Sequence, residues 1–112
     1  MRDEKAWKWL NENELSYKIW NNKYRHNNES FDEWLDRVSN KDAEIHRLIY
    51  EKKFLFGGRT LANRGTNKGS LNNCYSAGYV PDSLDGIMQT ATDIAMTFKA
   101  QGCQGLSLSK IR

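Results

Sequence analysis

Three stretches in the second half of the chain decide its fold: Ser70-Leu71-Asn72-Asn73-Cys74-Tyr75, Pro81-Asp82-Ser83-Leu84-Asp85-Gly86-Ile87 and Gly102-Cys103-Gln104-Gly105-Leu106-Ser107-Leu108-Ser109-Lys110-Ile111-Arg112. The first opens a segment, residues 71–80, that reads as extended and stops at Pro81. In the third, leucines alternate with serines, which is typical of a short strand. The sequence therefore predicts two strands separated by about 25 residues.

The residues between these strands predict an amphipathic helix. Asp82 is expected to be its N-cap, with Asp85 at the third helical position and Gly102 just past its end. The apolar residues of this segment follow helical spacing: Leu84, Ile87, Met88, Ala91, Ile94, Ala95 and Phe98. A strand, a helix and a second strand make a β-α-β unit, from which parallel sheets and barrels are built.

Residues 1–56 are predicted to be helical. In a first segment, Leu15, Ile19 and Tyr24 fall near one face. Ser30 and Glu33 form a capping box in front of a second helix, and a third is predicted over residues 42–53. The composition changes at Gly57, and residues 57–69 predict a loop of the kind that commonly binds a ligand.

Composition bounds the class of protein. The chain has 112 residues, 38% of them hydrophobic, with 17 basic and 14 acidic side chains and a net charge of +3. This length fits one small domain, and no apolar run is long enough to span a bilayer. A cytoplasmic protein is expected, because the first residues lack a signal-peptide core. In a reducing compartment its two cysteines would be free thiols.

Most of the chain after about residue 20 resembles the large, catalytic subunit of ribonucleotide reductases, particularly the adenosylcobalamin-dependent class II enzymes. The segments that carry the resemblance are residues 23–25, 29–39, 56–65 and 70–112. The resemblance implies an α+β fragment, the N-terminal portion of that subunit. Residues 1–56 would form its N-terminal helical region. Residues 57–112 would begin its ten-stranded α/β barrel with the substrate loop, first catalytic strand and effector-site helix.

The resemblance also implies roles for individual residues. Cys74 matches one of two thiols that reduce the ribose 2′ position and become a disulfide. Asn73 would lie near the substrate ribose, and Thr60 would help to hold the substrate phosphates. The allosteric specificity site, which binds a deoxynucleoside triphosphate or ATP, would use Asp82, Lys99, Lys110 and Arg112. The alternative for this last group is structural: Asp82 is only an N-cap, and the basic residues are solvent-exposed side chains at the end of the chain without a ligand.

Further reductase sequence would complete such an enzyme. It would supply the radical-carrying cysteine, the partner of Cys74 and the surface that binds adenosylcobalamin. The chain alone is therefore expected to be inactive, and neither a metal site nor a membrane or nucleic-acid partner is predicted. The expected partners are a ribonucleotide, the effector nucleotide, the remaining reductase sequence, a thioredoxin-type reductant and a second copy of the subunit.

Cys103 departs from the family, which tends to have glycine at this position. A φ above zero there would cost about 1 kcal/mol or more. Cys74 is expected to be an exposed free thiol. Cys103 is not expected to form a disulfide with it, because the helix between the two cysteines would hold them roughly 25 to 30 Å apart.

Two other functions stay open. One is a catalytically inactive nucleotide-binding or interaction module. The other is a small nucleic-acid-binding protein that uses Trp7, Trp9, Trp20 and the basic residues 59–68.

Overall fold

The computed structural model describes all 112 residues and divides them into two compact units, Met1–Lys68 and Gly69–Arg112. The first unit is helical. Its elements are α1 (Glu4–Trp9), α2 (Glu14–Ile19), a π-helical turn (Trp20–Tyr24), α3 (Phe31–Ser39), α4 (Ala43–Tyr50) and α5 (Gly58–Asn63). The second unit is a β-α-β unit formed by β1 (Cys74–Tyr79), α6 (Leu84–Lys99) and β2 (Cys103–Ser107). None of the helices combines the length and the apolar composition that a membrane-spanning helix requires.

An aromatic cluster forms the core of the first unit. Phe31 and Trp34 stack with ring centroids 5.8 Å apart, and Trp20 meets both rings edge-on at 6.2 Å. Each of these side chains is at most 2% exposed. The remaining buried hydrophobic residues of this core are Ala6, Leu35, Val38, Ile49 and Leu61.

The predicted capping box of α3 is confirmed. Ser30 Oγ accepts the backbone N–H of Glu33, and the carboxylate of Glu33 accepts the backbone N–H of Ser30 at 2.7 Å. This second bond holds the pKa of Glu33 below its usual value. The third predicted helix is present but shorter, with Asp42 as its N-cap.

The first predicted segment is helical, because Leu15 and Ile19 lie in α2 and Tyr24 lies in the π-helical turn that follows it directly. Leu15 is nevertheless 68% exposed and does not join the core. One prediction for the first unit is wrong. The segment 57–69 is not all loop, because α5 occupies Gly58–Asn63. Leu61 anchors α5 by inserting into the core, where it is 4% exposed. Tertiary packing thus overrides a composition that favours loop.

Arg37 links three segments of the first unit. Its guanidinium donates to the carboxylate of Glu29 at 2.7 Å and to the backbone carbonyls of Tyr24, Leu61 and Arg64 at 2.9, 3.3 and 2.6 Å. Both charged side chains of the ion pair are nearly buried, at 11% and 12% exposure. Carbonyls at the end of α5, which have no helical partner, are satisfied in this way.

We expect Arg37→Met to destabilise the first unit by about 3 to 5 kcal/mol, because it leaves the Glu29 carboxylate buried without its partner. Urea unfolding followed by tryptophan fluorescence measures the change. Arg47→Met is the matched control: Arg47 also pairs with carboxylates, Glu44 and Glu51, but its side chain is 47% exposed. The unfolding midpoint of Arg47→Met should stay close to that of the unmodified chain. An equal loss of unfolding free energy in both variants would contradict the role assigned to Arg37.

Candidate functional site

The second unit carries most of the residues to which the sequence assigns chemistry. β1 and β2 are parallel, and their register pairs Cys74 with Cys103, Tyr75 with Gln104 and Ser76 with Gly105. The backbone N–H of Cys103 donates to the carbonyl of Asn73 at 2.7 Å, and Val80 N–H donates to Ser107 at 2.9 Å. These bonds lie at the two ends of the ladder and so hold its register.

The two cysteines lie side by side at the first positions of their strands. Both are free thiols and both are exposed, as predicted for Cys74. The expectation that the helix holds them 25 to 30 Å apart is wrong. A crossover helix runs back antiparallel to the strands, so its length separates the end of β1 from the start of β2 and not the two strand starts. Cys103 also has no positive φ and no strain of that kind.

Tyr75 and Gly102 fix the approach of β2 to β1. A Cβ at Gly102 would lie 2.6 Å from Cε2 of the Tyr75 ring and 2.9 Å from Cγ2 of Thr97 on α6. Only glycine at this position therefore leaves room for both the Tyr75 ring and the Thr97 methyl group. The Tyr75 hydroxyl is also 2.6 Å from Ser70 Oγ, within hydrogen-bond distance. Because side chains alternate along a strand, Cys74 and Cys103 lie on the face opposite α6.

The ends of α6 differ from the prediction at both caps. Ser83, not Asp82, is the N-cap, and its hydroxyl accepts Gly86 N–H at 3.1 Å. A tight turn in which Ser83 N–H donates to the Pro81 carbonyl moves the helix start by one residue. At the other end Gln101, not Gly102, is the left-handed residue, with φ 65°. Gln101 and Gly102 donate to the carbonyls of Phe98 and Thr97 at 2.9 Å, the pattern of a Schellman motif.

Two residues predicted for the effector site are brought together. Arg112 Nε lies 3.3 Å from Asp82 Oδ2, with the arginine side chain 89% exposed and the aspartate 36% exposed. Lys110 Nζ lies 4.2 Å from the centre of the Tyr79 ring. Lys99, at the end of α6, is exposed. The structure thus joins Asp82 to Arg112 and leaves the two lysines in separate surroundings.

The predicted substrate residues fall in both units. Asn73 is exposed, and its carbonyl accepts the ladder bond from Cys103. Thr60 is half-buried within α5 of the first unit, where its carbonyl accepts the N–H of Arg64. Trp20, which the nucleic-acid hypothesis needs for stacking on bases, is 2% exposed.

Sequence reasoning missed that Cys103 belongs beside Cys74. The only signal was that each cysteine lies close to a predicted strand, Cys74 within residues 71–80 and Cys103 shortly before the leucine–serine alternation at 106–109. Strand register is not readable from such a pattern.

Comparison with known proteins gives a consistent set of relatives. The large subunit of ribonucleoside-diphosphate reductase from vaccinia virus (strain Copenhagen) is 36% identical over 69 residues, which are 62% of this chain and 9% of that protein. The protein of the same name from Danio rerio gives the same figures. The large chain of ribonucleoside-diphosphate reductase from Neurospora crassa is 34% identical over 79 residues, 70% of this chain and 8% of that protein. No protein-family model matches.

These similarities support the resemblance to reductase large subunits. The matched segment spans no more than 9% of each of these relatives. Their names specify ribonucleoside diphosphates and give no support for the adenosylcobalamin class.

We expect Gly102→Ala to loosen the second unit. The added methyl group must displace the Tyr75 ring, and overpacking of this kind costs about 1 to 3 kcal/mol. Amide hydrogen exchange at Cys103 and Val80 should then accelerate about 5- to 150-fold. The matched control is Gly105→Ala within β2, where a Cβ would meet nothing within 4 Å. Exchange that is unchanged in Gly102→Ala would show that the tyrosine does not fix the register.

Proposed function

We propose that this chain forms the N-terminal part of a ribonucleotide reductase large subunit, in which the second unit begins the ten-stranded α/β barrel. The reaction is the radical reduction of ribonucleotides to deoxyribonucleotides for DNA synthesis. The observation that carries this proposal is the exposed thiol of Cys74 at the start of a parallel strand, in a chain similar to reductase large subunits.

The exposed apolar surface of the second unit supports a larger assembly. No residue of α6 is buried, although its sequence has the spacing of a helix that packs against a core. The exposed large apolar residues of this unit include Leu84, Ile87, Met88, Met96, Phe98, Leu106 and Leu108. An isolated two-stranded sheet is marginal in water, so further strands and helices are needed to cover this surface. We assign that role to the remaining reductase sequence.

Cys74 is proposed to act as a reductant of the substrate. The thiol and a second thiol of the complete enzyme each give up one electron and one proton and become a disulfide. The ribose 2′ hydroxyl leaves as water with one of these protons, and a hydrogen takes its place on the 2′ carbon. A thioredoxin-type dithiol then restores both thiols by exchange. Asn73, the residue before Cys74, is proposed to position the ribose, and Thr60 to contact the phosphates.

Adenosylcobalamin dependence is a proposal about the rest of the enzyme. When bound, this cofactor would supply the radical. The apolar cavity lined by residues such as Trp9, Trp20 and Leu61 holds about 180 Å³. Pockets for drug-sized ligands begin at about 300 Å³. The cavity is therefore too small to hold a corrin.

Asp82 and Arg112 are proposed to bind the effector nucleotide. The carboxylate of Asp82 would accept hydrogen bonds from the ribose hydroxyls, and Arg112 would hold the phosphates, with help from Lys110 and Lys99. Their 3.3 Å contact supports one site, because it shows that both side chains reach the same point of the surface. The alternative function, an inactive nucleotide-binding or interaction module, would keep this site without the chemistry at Cys74.

In a reductase holoenzyme that contains this chain, Cys74→Ser should lower deoxyribonucleotide formation about a hundredfold or more, because a hydroxyl cannot undergo thiol–disulfide exchange. Nucleotide affinity should change less than about twofold, since serine keeps the shape of the side chain. Product assays with a dithiol reductant and equilibrium binding measure the two quantities.

Ser76→Ala, on the same face of β1, is the control and should keep full turnover. Full turnover in Cys74→Ser would remove this thiol from the mechanism and favour the inactive module.

Arg112→Ala should weaken the binding of a deoxynucleoside triphosphate by about 1.5 to 3 kcal/mol, the range for a hydrogen bond to a charged group. Asp82→Asn should weaken it as well, because an amide offers one neutral acceptor in place of two charged ones. Neither change should shift the melting temperature measurably, since the pair is exposed and Asp82 does not cap α6.

Calorimetric titration of the holoenzyme and melting curves measure these effects. Asp85→Asn, which removes another carboxylate near the start of α6, is the control and should bind normally. Unchanged affinity in both Asp82→Asn and Arg112→Ala would rule out this site.

A further inference from the structure

Two thiols of the second unit are neighbours, and Cys103 has no role in the proposed reaction. Cys74 and Cys103 are register partners across the parallel ladder, so they point to the same face of the sheet. Adjacent strands lie about 4.8 Å apart, inside the range of about 4.4 to 6.8 Å between the Cα atoms of disulfide-bonded cysteines. We propose that Cys74 and Cys103 form a reversible dithiol–disulfide redox site.

The surroundings favour this chemistry. Both thiols are exposed on the face opposite α6, so a small oxidant can reach them. Each cysteine is the first residue of its strand, where the ladder constrains it from one side only, and its side chain can turn toward its neighbour. A depression of about 500 Å³ runs along the following residues, which include Ser76, Gly105 and Ser107.

The register that places the thiols together is built by specific contacts. The bond from Cys103 N–H to the Asn73 carbonyl, at 2.7 Å, sets the cysteine pair directly. Gly102, the residue before Cys103, leaves space for the Tyr75 ring, which would lie 2.6 Å from any Cβ at that position. The two thiols are therefore held as neighbours in the folded unit and do not meet by chance.

The reaction balances with glutathione disulfide as the oxidant. One thiolate of the pair attacks the glutathione disulfide, forms a mixed disulfide and releases one glutathione. The second thiolate attacks the protein sulfur of this mixed disulfide, closes the Cys74–Cys103 bond and releases the second glutathione. The cysteine pair loses two electrons and two protons, and the two released glutathione molecules carry them. A dithiol reductant reverses the sequence.

This redox site does not depend on the proposed function. If Cys74 is also the thiol that reduces nucleotides, closing the bond with Cys103 blocks it, and the site then becomes an oxidation switch on the enzyme. This consequence alone rests on the proposed function.

The test uses the full 112-residue chain in glutathione redox buffers, with acid quenching, thiol titration and mass spectrometry. We expect the oxidised monomer to lose both thiols and about 2 Da, with no bound glutathione. Cys74→Ser and Cys103→Ser should instead each keep a single glutathione adduct, because the second attack is impossible. Circular dichroism checks that each variant keeps its helices.

The matched control is the double variant Cys74→Ser/Ser76→Cys, which keeps two cysteines but breaks their register. Two residues along the strand add about 6.6 Å, so the thiol-bearing Cα atoms would lie about 8 Å apart, beyond disulfide range. We expect this variant to carry two glutathione adducts and at least tenfold less intramolecular disulfide. Two adducts on the unmodified chain, or equal disulfide formation in the double variant, would overturn the proposal.

Discussion

Parallel pairing of β1 with β2 is the constraint on which the second unit depends. Parallel neighbours cannot be joined by a hairpin, so the chain must return along the sheet, and α6 provides this crossover. The return places the first residues of both strands together, which brings Cys103 beside Cys74. Everything at the ends of α6 serves this geometry: the serine cap at its start, and the left-handed Gln101 followed by Gly102 at its end.

The first unit depends on a different device, a buried cation that bonds to backbone. Arg37 satisfies carbonyls from the π-helical turn and from the end of α5, while Glu29 balances its charge. A buried ion pair costs desolvation, and hydrogen bonds to both partners must offset this cost. Arginine suits the position because its planar fork offers five donors, whereas lysine offers a single point charge.

The sequence predicted what is local and missed what is long-range. The capping box at Ser30, helix α3 and the strand–helix–strand order depend on residues within a few positions of each other, and all are present. Helix α5 was missed because its stability comes from burial of Leu61 and from Arg37, 24 positions away. The N-cap of α6 was misplaced by one residue, since Asp82 and Ser83 are both good caps and only the turn at Pro81 separates them. The cysteine pair was missed because register is a tertiary property.

The contact between Asp82 and Arg112 is weak, and this weakness is what an effector site requires. An ion pair with one partner 89% exposed contributes little to stability, so opening it costs little. A nucleotide with a polyphosphate would compete for the guanidinium with more charge than a single carboxylate, and the freed carboxylate could then accept hydroxyl groups of the sugar. A buried pair such as Arg37 with Glu29 could not exchange partners in this way, because each of its charges would be left without a partner in a nearly dry environment. Exposure therefore separates the ion pair that holds the fold, Arg37 with Glu29, from a pair that solvent can open, Arg112 with Asp82.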